Sequence, residues 1–396
     1  MRRIKSSSSQ LIILLLARIA FDLDFQSITL YFSTLSESYN VQIWLMGFLV
    51  SVYSISILLS PIFGNLSDQY GRKRFLTIGL ILFGISSWFM VITQNWFQII
   101  LARAFTGLSS AIFLPSLLAQ LGDNYSYEKR SRAMGLVRLS WPITFIFGVP
   151  LVGYSIEHLN WRIPFIILGF LAVITCVLII FMDSPISEIS NQPTMKKSID
   201  LFKTVLLNRN ALSGLLLTFF AVGAIQGIFA FFPVWMETTF QIEETYIGIV
   251  LSFMGIGTLF GTLLATWFGD KIGPKQCSIS GLIVAACCMV LLSNFSFNIS
   301  FVIVWLILLG TAFDFSMTEV PVLLTQVSSG SKGTVLSFNQ ALNAGASALG
   351  SALSGIIWIS FGYGTIGVLF AITAFTGALI GYFNIKVVPE QSFERN

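Results

Sequence analysis

The chain has 396 residues, of which 55% are hydrophobic and 10% charged, with a formal net charge of +4. A soluble domain runs at about 25% charged, and a mean hydropathy of +0.83 leaves too little polar surface for a soluble enzyme. The small net charge argues against a nucleic-acid partner, the single histidine (His158) excludes a His-built metal cluster, and Cys176, Cys277, Cys287 and Cys288 show no metal-ligand spacing beyond one adjacent pair.

A helix needs about 20 apolar residues to cross a bilayer. Twelve such runs are predicted: 10–32, 42–63, 75–94, 97–120, 133–157, 163–182, 210–236, 246–268, 276–293, 298–326, 333–360 and 364–386. The first follows Arg2, Arg3 and Lys5 but is too long for a signal peptide, contains Arg18, Asp22 and Asp24, and lacks a small-x-small cleavage site. With the N-terminus placed inside, eighteen of the 22 Lys and Arg residues fall in inside segments and only Arg162 in an outside loop. That asymmetry predicts cytoplasmic termini and a multi-pass protein of the plasma membrane.

The longest polar stretch divides six spans from six. The expected organisation is an N-terminal six-helix bundle (1–182), a cytoplasmic linker (183–209) and a C-terminal six-helix bundle (210–396). Within the linker, Ile199, Phe202 and Val205/Leu206 share one helical face flanked by Lys196, Lys197 and Lys203. This pattern suits either a short helix on the inner leaflet or a plain flexible linker.

The halves repeat. Asp68-x-x-Gly71-x-Lys73 after span 2 recurs 202 residues later as Asp270-x-x-Gly273-x-Lys275 after span 8. Pro115 to Leu121 in span 4 has an echo in Pro321 to Val327 in span 10, and Arg132 with Leu136 in Lys332 with Leu336. Three matches near one offset argue for a duplicated six-span unit, which places a site at mid-membrane between parallel repeats.

The segment Gly64-x-x-x-Asp68-x-x-Gly71-Arg72-Lys73-Arg74 resembles the signature loop of the major facilitator superfamily. The resemblance covers essentially the whole chain. It implies an all-α membrane protein with twelve transmembrane helices in two pseudo-symmetric six-helix bundles, and a gating loop that latches the halves. In the second copy Pro274 replaces the arginine and Thr266 the first glycine. Independently of the family, Gly64 and Gly71 suit a tight turn, Arg72 and Lys73 can anchor to anionic lipid, and Asp68 can accept backbone donors from a helix N-terminus. A purely topogenic basic loop is the alternative.

Seven ionisable residues fall within spans: Arg18, Asp22, Asp24, Arg103, Arg138, Asp314 and Glu319. Each costs about 2.5–3.5 kcal/mol at the centre of an isolated helix, so they are expected to face a cavity or one another. Arg18 and Asp22 share a helical face, whereas Asp24 is rotated by about 200° from Asp22. Arg103-x-x-x-Gly107 in span 4 resembles a motif of proton-linked members, with Thr106 where the family has glutamine. By that resemblance Arg103 tunes the proton affinity of Asp22 or Asp24, Asp22 being preferred. A static buried ion-pair network is the alternative.

Gly148-Val149-Pro150-Leu151-Val152-Gly153 in span 5 incompletely resembles the motif of the drug–proton antiporter branch, and its glycines and proline suit a kink and close packing. The run Phe229 to Trp235 in span 7 offers aromatic surface, with Phe231 and Trp235 expected in the cavity beside Arg18, Arg138, Asp314 and Glu319. A proline-kinked gate with an interfacial tryptophan fits that run equally.

The expected function is a proton-coupled secondary transporter, an efflux antiporter for lipophilic drugs or small metabolites. The alternatives are a proton-linked uptake symporter for a sugar, organic acid or other nutrient, and a non-transporting membrane sensor or scaffold. No nucleotide loop, nucleophile–base pair or metal cluster is found, so neither an enzyme nor a metal is expected. The expected partners are a small-molecule substrate, protons and the lipid bilayer, with no nucleic acid. The chain is expected to work as a monomer, with a proton gradient in place of a cofactor.

Overall fold

A computed structural model describes residues 7–125, 127–182, 207–327 and 332–385. The linker expected at 183–209 lies outside the described residues as far as 206, and with it the expected interfacial helix.

Among the described residues, nine helices are long and apolar enough to cross a membrane. The number becomes twelve for three physical reasons. Span 1, Ser7–Ser27, carries Arg18, Asp22 and Asp24, more charge than an ordinary crossing tolerates. Span 2 is broken into Ile43–Ile57 and Ser60–Tyr70, bent by 40°. The last helix, Lys332–Asn384, is two spans joined at Gly362, whose φ of 73° and ψ of −177° suit only glycine. The remaining spans are Arg72–Ile92, Trp96–Asn124, Ala133–His158, Ile163–Ile180, Arg209–Phe240, Glu244–Gly269, Pro274–Asn294 and Ile299–Val327.

The two halves repeat in backbone as well as sequence. Gly71 has φ 100° and ψ 129°, and Gly273 has φ 92° and ψ 145°. Each ends one span and starts the next: the Gly71 N–H donates to Ser67 O at 3.0 Å, and the Gly273 N–H to Gly269 O at 2.8 Å. Pro274 replaces Arg72 without changing this geometry, because the first helical position needs no N–H. The following lysines also correspond. Lys73 Nζ donates to Met182 O at 2.6 Å and Lys275 Nζ to Ile385 O at 2.7 Å, so each tethers the last helix of its own half. The Gly71 and Gly273 turns, Ser7 and Ile385 share one face, called here the loop face; the opposite side is the far face.

The N-terminal core is built on Phe21, whose ring centroid lies 4.3 Å from Phe83 and 4.5 Å from Phe113. Large apolar side chains also cover the outside: Ile92, Phe97, Leu151 and Phe383 are exposed. In lipid such exposure costs nothing, so close packing and interhelical polar contacts decide which faces meet.

Six hydrogen bonds described here join the halves, and they run from the far face to about mid-depth. Glu237 accepts from Ser33, Glu244 from Thr34 at 3.5 Å, and Glu157 from the Thr245 N–H at 3.1 Å. Deeper, Ser51 Oγ bonds Ala348 O at 2.8 Å and Ser351 Oγ at 3.1 Å, and Ser54 Oγ bonds Ser347 Oγ at 3.1 Å. Small residues permit this seam: a side chain on Gly47 would meet the Ser351 carbonyl, and one on Gly355 the Trp44 carbonyl. The far face is therefore sealed by spans 2 and 11 packed backbone to backbone.

Candidate functional site

Span 1 presents two acids to two different partners. Asp24, 2% exposed, accepts from Arg103 Nη1 at 2.7 Å, and Arg103 itself is only 1% exposed. The Arg103 guanidinium lies 4.9 Å from the Tyr53 ring centroid, and the Tyr53 hydroxyl pairs with Ser110 at 2.7 Å. Gly107 makes this possible: any side chain there would strike the Tyr53 carbonyl, so its absence lets spans 2 and 4 touch. Arg103 Nε and Nη2 find no acceptor among the described residues. The charge is thus committed to one carboxylate.

Asp22 points the other way, as the 200° rotation requires. It accepts from Arg18 Nε at 2.9 Å and from Ser140 Oγ at 2.5 Å. The Arg18 side chain is 26% exposed, so this pair reaches solvent where the Asp24–Arg103 pair does not. Arg103 therefore joins Asp24, not the preferred Asp22.

One turn further along span 1, Gln26 donates to Trp141 O at 3.2 Å and accepts from Thr144 Oγ1 at 2.7 Å. Span 5 is wound as a π-helix over Thr144–Gly148, immediately before Val149 and Pro150. Widening the turn leaves a carbonyl without its helical partner, and Gln26 and Thr144 supply donors to Trp141 O. Beyond it, span 5 packs tightly on span 8: a Cβ on Gly153 would meet the Glu244 carbonyl, and one on Gly248 would lie 2.9 Å from Pro150 Cα. A side chain on Gly148 would meet Leu23.

Between the halves lies a cavity of about 70 Å³. Span 1 contributes Phe25, Gln26 and Thr29, and span 5 Trp141 and Phe145. Span 7 adds Ile225, Gln226 and Phe229, span 8 Leu251 and Met254, and span 10 Phe313 and Asp314. Asp314 is the one carboxylate in this lining, and Arg138 of the other half is the cation whose charge reaches it. The volume is below the ~300–1,000 Å³ of a drug-sized site, so a ligand of that size requires the halves to part.

Of the six residues expected in the cavity only Asp314 lines it; Arg138 is not among the lining residues, and the other four lie elsewhere. Phe231 is fully buried, stacked on Trp358 at 5.9 Å and edge-on to Phe32 at 5.5 Å. Trp235 stacks on Tyr363 at 4.4 Å. The cause is a break in span 7: Phe231 leaves helical geometry (φ −108°, ψ 10°) ahead of Pro233, so the residues beyond it turn to another face and of the run only Phe229 and Ala230, ahead of the break, line the cavity. Glu319 lies against Gly269 near the loop-face end of span 8, where a glycine Cβ would meet its carboxylate. Arg18 faces Asp22 rather than the cavity lining.

The gating loop also differs from expectation in its contacts. Asp68 pairs with Arg72 of its own loop rather than with a helix N-terminus. Arg72 also reaches Asp123 at 3.2 Å and Ser67 Oγ at 3.0 Å, so Arg72 and Lys73 are turned to protein rather than out to lipid. Gly64 makes an ordinary 3.4 Å contact with Pro115. The Asp270 side chain is outside the described residues. Gln26, Gln226, Thr144 and the serine seam were not singled out by the sequence; the Gly47-x-x-x-Ser51 and Ser347-x-x-x-Ser351-x-x-x-Gly355 spacing was the available signal for the seam.

A sequence model described as Major Facilitator Superfamily matches residues 14–243 and 214–395, two overlapping matches that together cover nearly the whole chain. The chain belongs to that superfamily. It is 25% identical over 357 residues to an uncharacterised superfamily-type transporter, YwfA, of Bacillus subtilis (strain 168), covering 89% of this chain and 86% of the relative. It is 26% identical over 329 residues to Multidrug resistance protein 2 of the same organism, covering 79% and 80%. Among solved structures, a D-xylose-proton symporter superposes with a TM-score of 0.82 at 16% identity, covering 96% of this chain and 98% of that one. The protein is a membrane transporter and not an enzyme, and it resembles the drug–proton antiporter branch of its superfamily.

Proposed function

We propose that the chain is a proton-coupled efflux antiporter for lipophilic cations or neutral amphiphiles, working by alternating access about the central cavity. The observation that carries this reading is the cavity lining: aromatic and aliphatic walls from both halves converge on one carboxylate, Asp314. A sugar or other polyol needs a dense set of directional donors and acceptors, and this lining offers chiefly Gln26, Thr29, Gln226 and Asp314. The relatedness to a multidrug resistance protein supports the same substrate class; the likeness to a sugar symporter is one of fold.

In this mechanism Asp22 is the proton-coupling acid, because its Arg18 partner reaches solvent. Asp24 with Arg103 is the fixed charge pair that sets the field around it. The Gly71 and Gly273 turns lie on the cytoplasmic side, where the positive-inside rule puts Arg72, Lys73 and Lys275. The six helices before residue 183 and the six after 209 rock as two bodies, with the intervening segment as their tether.

The test is transport in inverted membrane vesicles with an imposed pH gradient, using a lipophilic cationic dye. Addition of dye collapses the gradient in the wild type. Asp22→Asn abolishes gradient-driven flux but leaves dye exchange, and Asp314→Asn weakens dye binding. A gradient that dye leaves untouched, or one that only sodium restores, refutes proton exchange.

A further inference from the structure

Away from the central cavity, the outside of the first half carries a groove of about 510 Å³ between spans 3 and 4. Span 3 supplies Ile85, Trp88, Phe89 and Ile92, and span 4 supplies Leu101 and Phe105. The spacings of three and four residues put these side chains in one stripe along each helix. All but Phe89 are exposed. Ile92 ends span 3 at the far face, and Ile85 lies seven residues deeper. At 1.5 Å per residue the groove therefore runs inward for about 10 Å. That depth stays within one leaflet of a hydrocarbon core about 30 Å thick.

A cation stands at the far-face end of this groove. Trp88 joins the groove to span 6: its Nε1 donates to Ile166 O at 3.4 Å, and its ring meets Phe170 edge-on at 5.5 Å. About one turn nearer the far face along the same contact, Arg162 Nε donates to Val91 O at 2.9 Å. The guanidinium also lies 4.3 Å from the Trp161 ring centroid. Arg162 is thus held about one helical pitch from the groove wall, on its membrane-surface side. It is half-buried and pairs with no carboxylate among the described residues. It is also the one basic residue that the charge asymmetry leaves in an outside loop.

An apolar slot one leaflet deep with a fixed cation at its surface end is complementary to a phospholipid. The acyl chain fills the slot, and the phosphate meets the guanidinium, whose terminal nitrogens suit bidentate contact. A lipophilic cation in the same slot would meet like charge at Arg162. We propose that the span 3–4 groove and Arg162 form a binding site for an anionic phospholipid of the far-face leaflet. The lipid fastens spans 3, 4 and 6 together from outside and leaves the seam between the halves untouched. The site is independent of what the central cavity carries and of how transport is driven.

The test is native mass spectrometry of the detergent-purified full chain, titrated with phosphatidylglycerol, phosphatidylcholine and diacylglycerol of identical acyl chains. Phosphatidylglycerol is expected to bind most tightly, phosphatidylcholine less because its choline offsets the phosphate, and diacylglycerol least. Arg162→Gln weakens phosphatidylglycerol at least about fivefold, and Arg162→Lys recovers part of that loss. Leu101→Trp, which fills the groove from an exposed position, weakens all three lipids although the cation is intact. Thermal unfolding of the same samples rises with phosphatidylglycerol in the wild type and not in Arg162→Gln or Leu101→Trp. Phosphatidylglycerol binding that either variant leaves unchanged, or diacylglycerol binding as tight as phosphatidylglycerol, overturns the proposal. A lipophilic cationic dye that displaces phosphatidylglycerol from the wild type and is itself excluded by Leu101→Trp assigns the groove to substrate and overturns it too.

Discussion

Replacing Asp24 by Asn tests the division of labour between the two span 1 acids. Arg103 is 1% exposed, pairs with Asp24 at 2.7 Å, and has two further nitrogens without acceptors among the described residues. Asn keeps the shape but removes the carboxylate that, among the described residues, pairs with this buried cation. Removing one partner of a buried pair costs about 3–5 kcal/mol, at least a hundredfold in the folded-to-unfolded ratio at ~1.4 kcal/mol per decade. Asp22→Asn is expected to cost about 1 kcal/mol or less, because Arg18 is partly solvated and keeps water as a partner. The decisive third variant is Asp24→Asn with Arg103→Met, which removes the orphaned charge and recovers most of the loss. Thermal unfolding of the detergent-purified proteins reads all three. The reasoning fails if Asp24→Asn is no more destabilising than Asp22→Asn, or if the double variant melts no higher than Asp24→Asn.

Two further outcomes follow from the repeat and the seam. Gly71→Ala and Gly273→Ala each place a Cβ where φ is near +100° and are expected to cost about 1–3 kcal/mol apiece, read by thermal unfolding; equal stability to wild type would show that these turns tolerate any residue. Ser351→Leu overfills the contact with Ser51 and the backbone at Gly47, at about 1–3 kcal/mol against the sealed form. The distance between spin labels at exposed Leu159 and Thr239, one on each half, should therefore lengthen, and an unchanged distribution would mean that the seam does not hold the far face closed.

Much of the fold was legible in the chain. Long apolar runs in lipid have no choice but to be helices, since every backbone polar group must be satisfied within the segment. The repeated Asp-x-x-Gly-x-Lys gave the duplication, and glycine at 71 and 273 marked turns that only glycine makes cheaply. The span 1 acids and Arg103 were legible as well, because charge inside a membrane is costly enough to single out its residues.

Partner choice was not legible. Asp22 and Asp24 lie two residues apart, and nothing in their order says which meets Arg103; the packing of Gly107 on Tyr53 decides it. Phe231 and Trp235 read as cavity aromatics until the break ahead of Pro233 turns them into the core. Glu157 carries no motif, and it reaches the Thr245 N–H because Gly153 lets span 5 approach the start of span 8. The sequence by itself determined the number of spans, their duplication and the residues too costly to be idle, because each follows from one helix in lipid. Only the tertiary structure decided which of those residues face one another, because lipid and protein interior are equally apolar and the choice of neighbour rests on close contacts between distant segments.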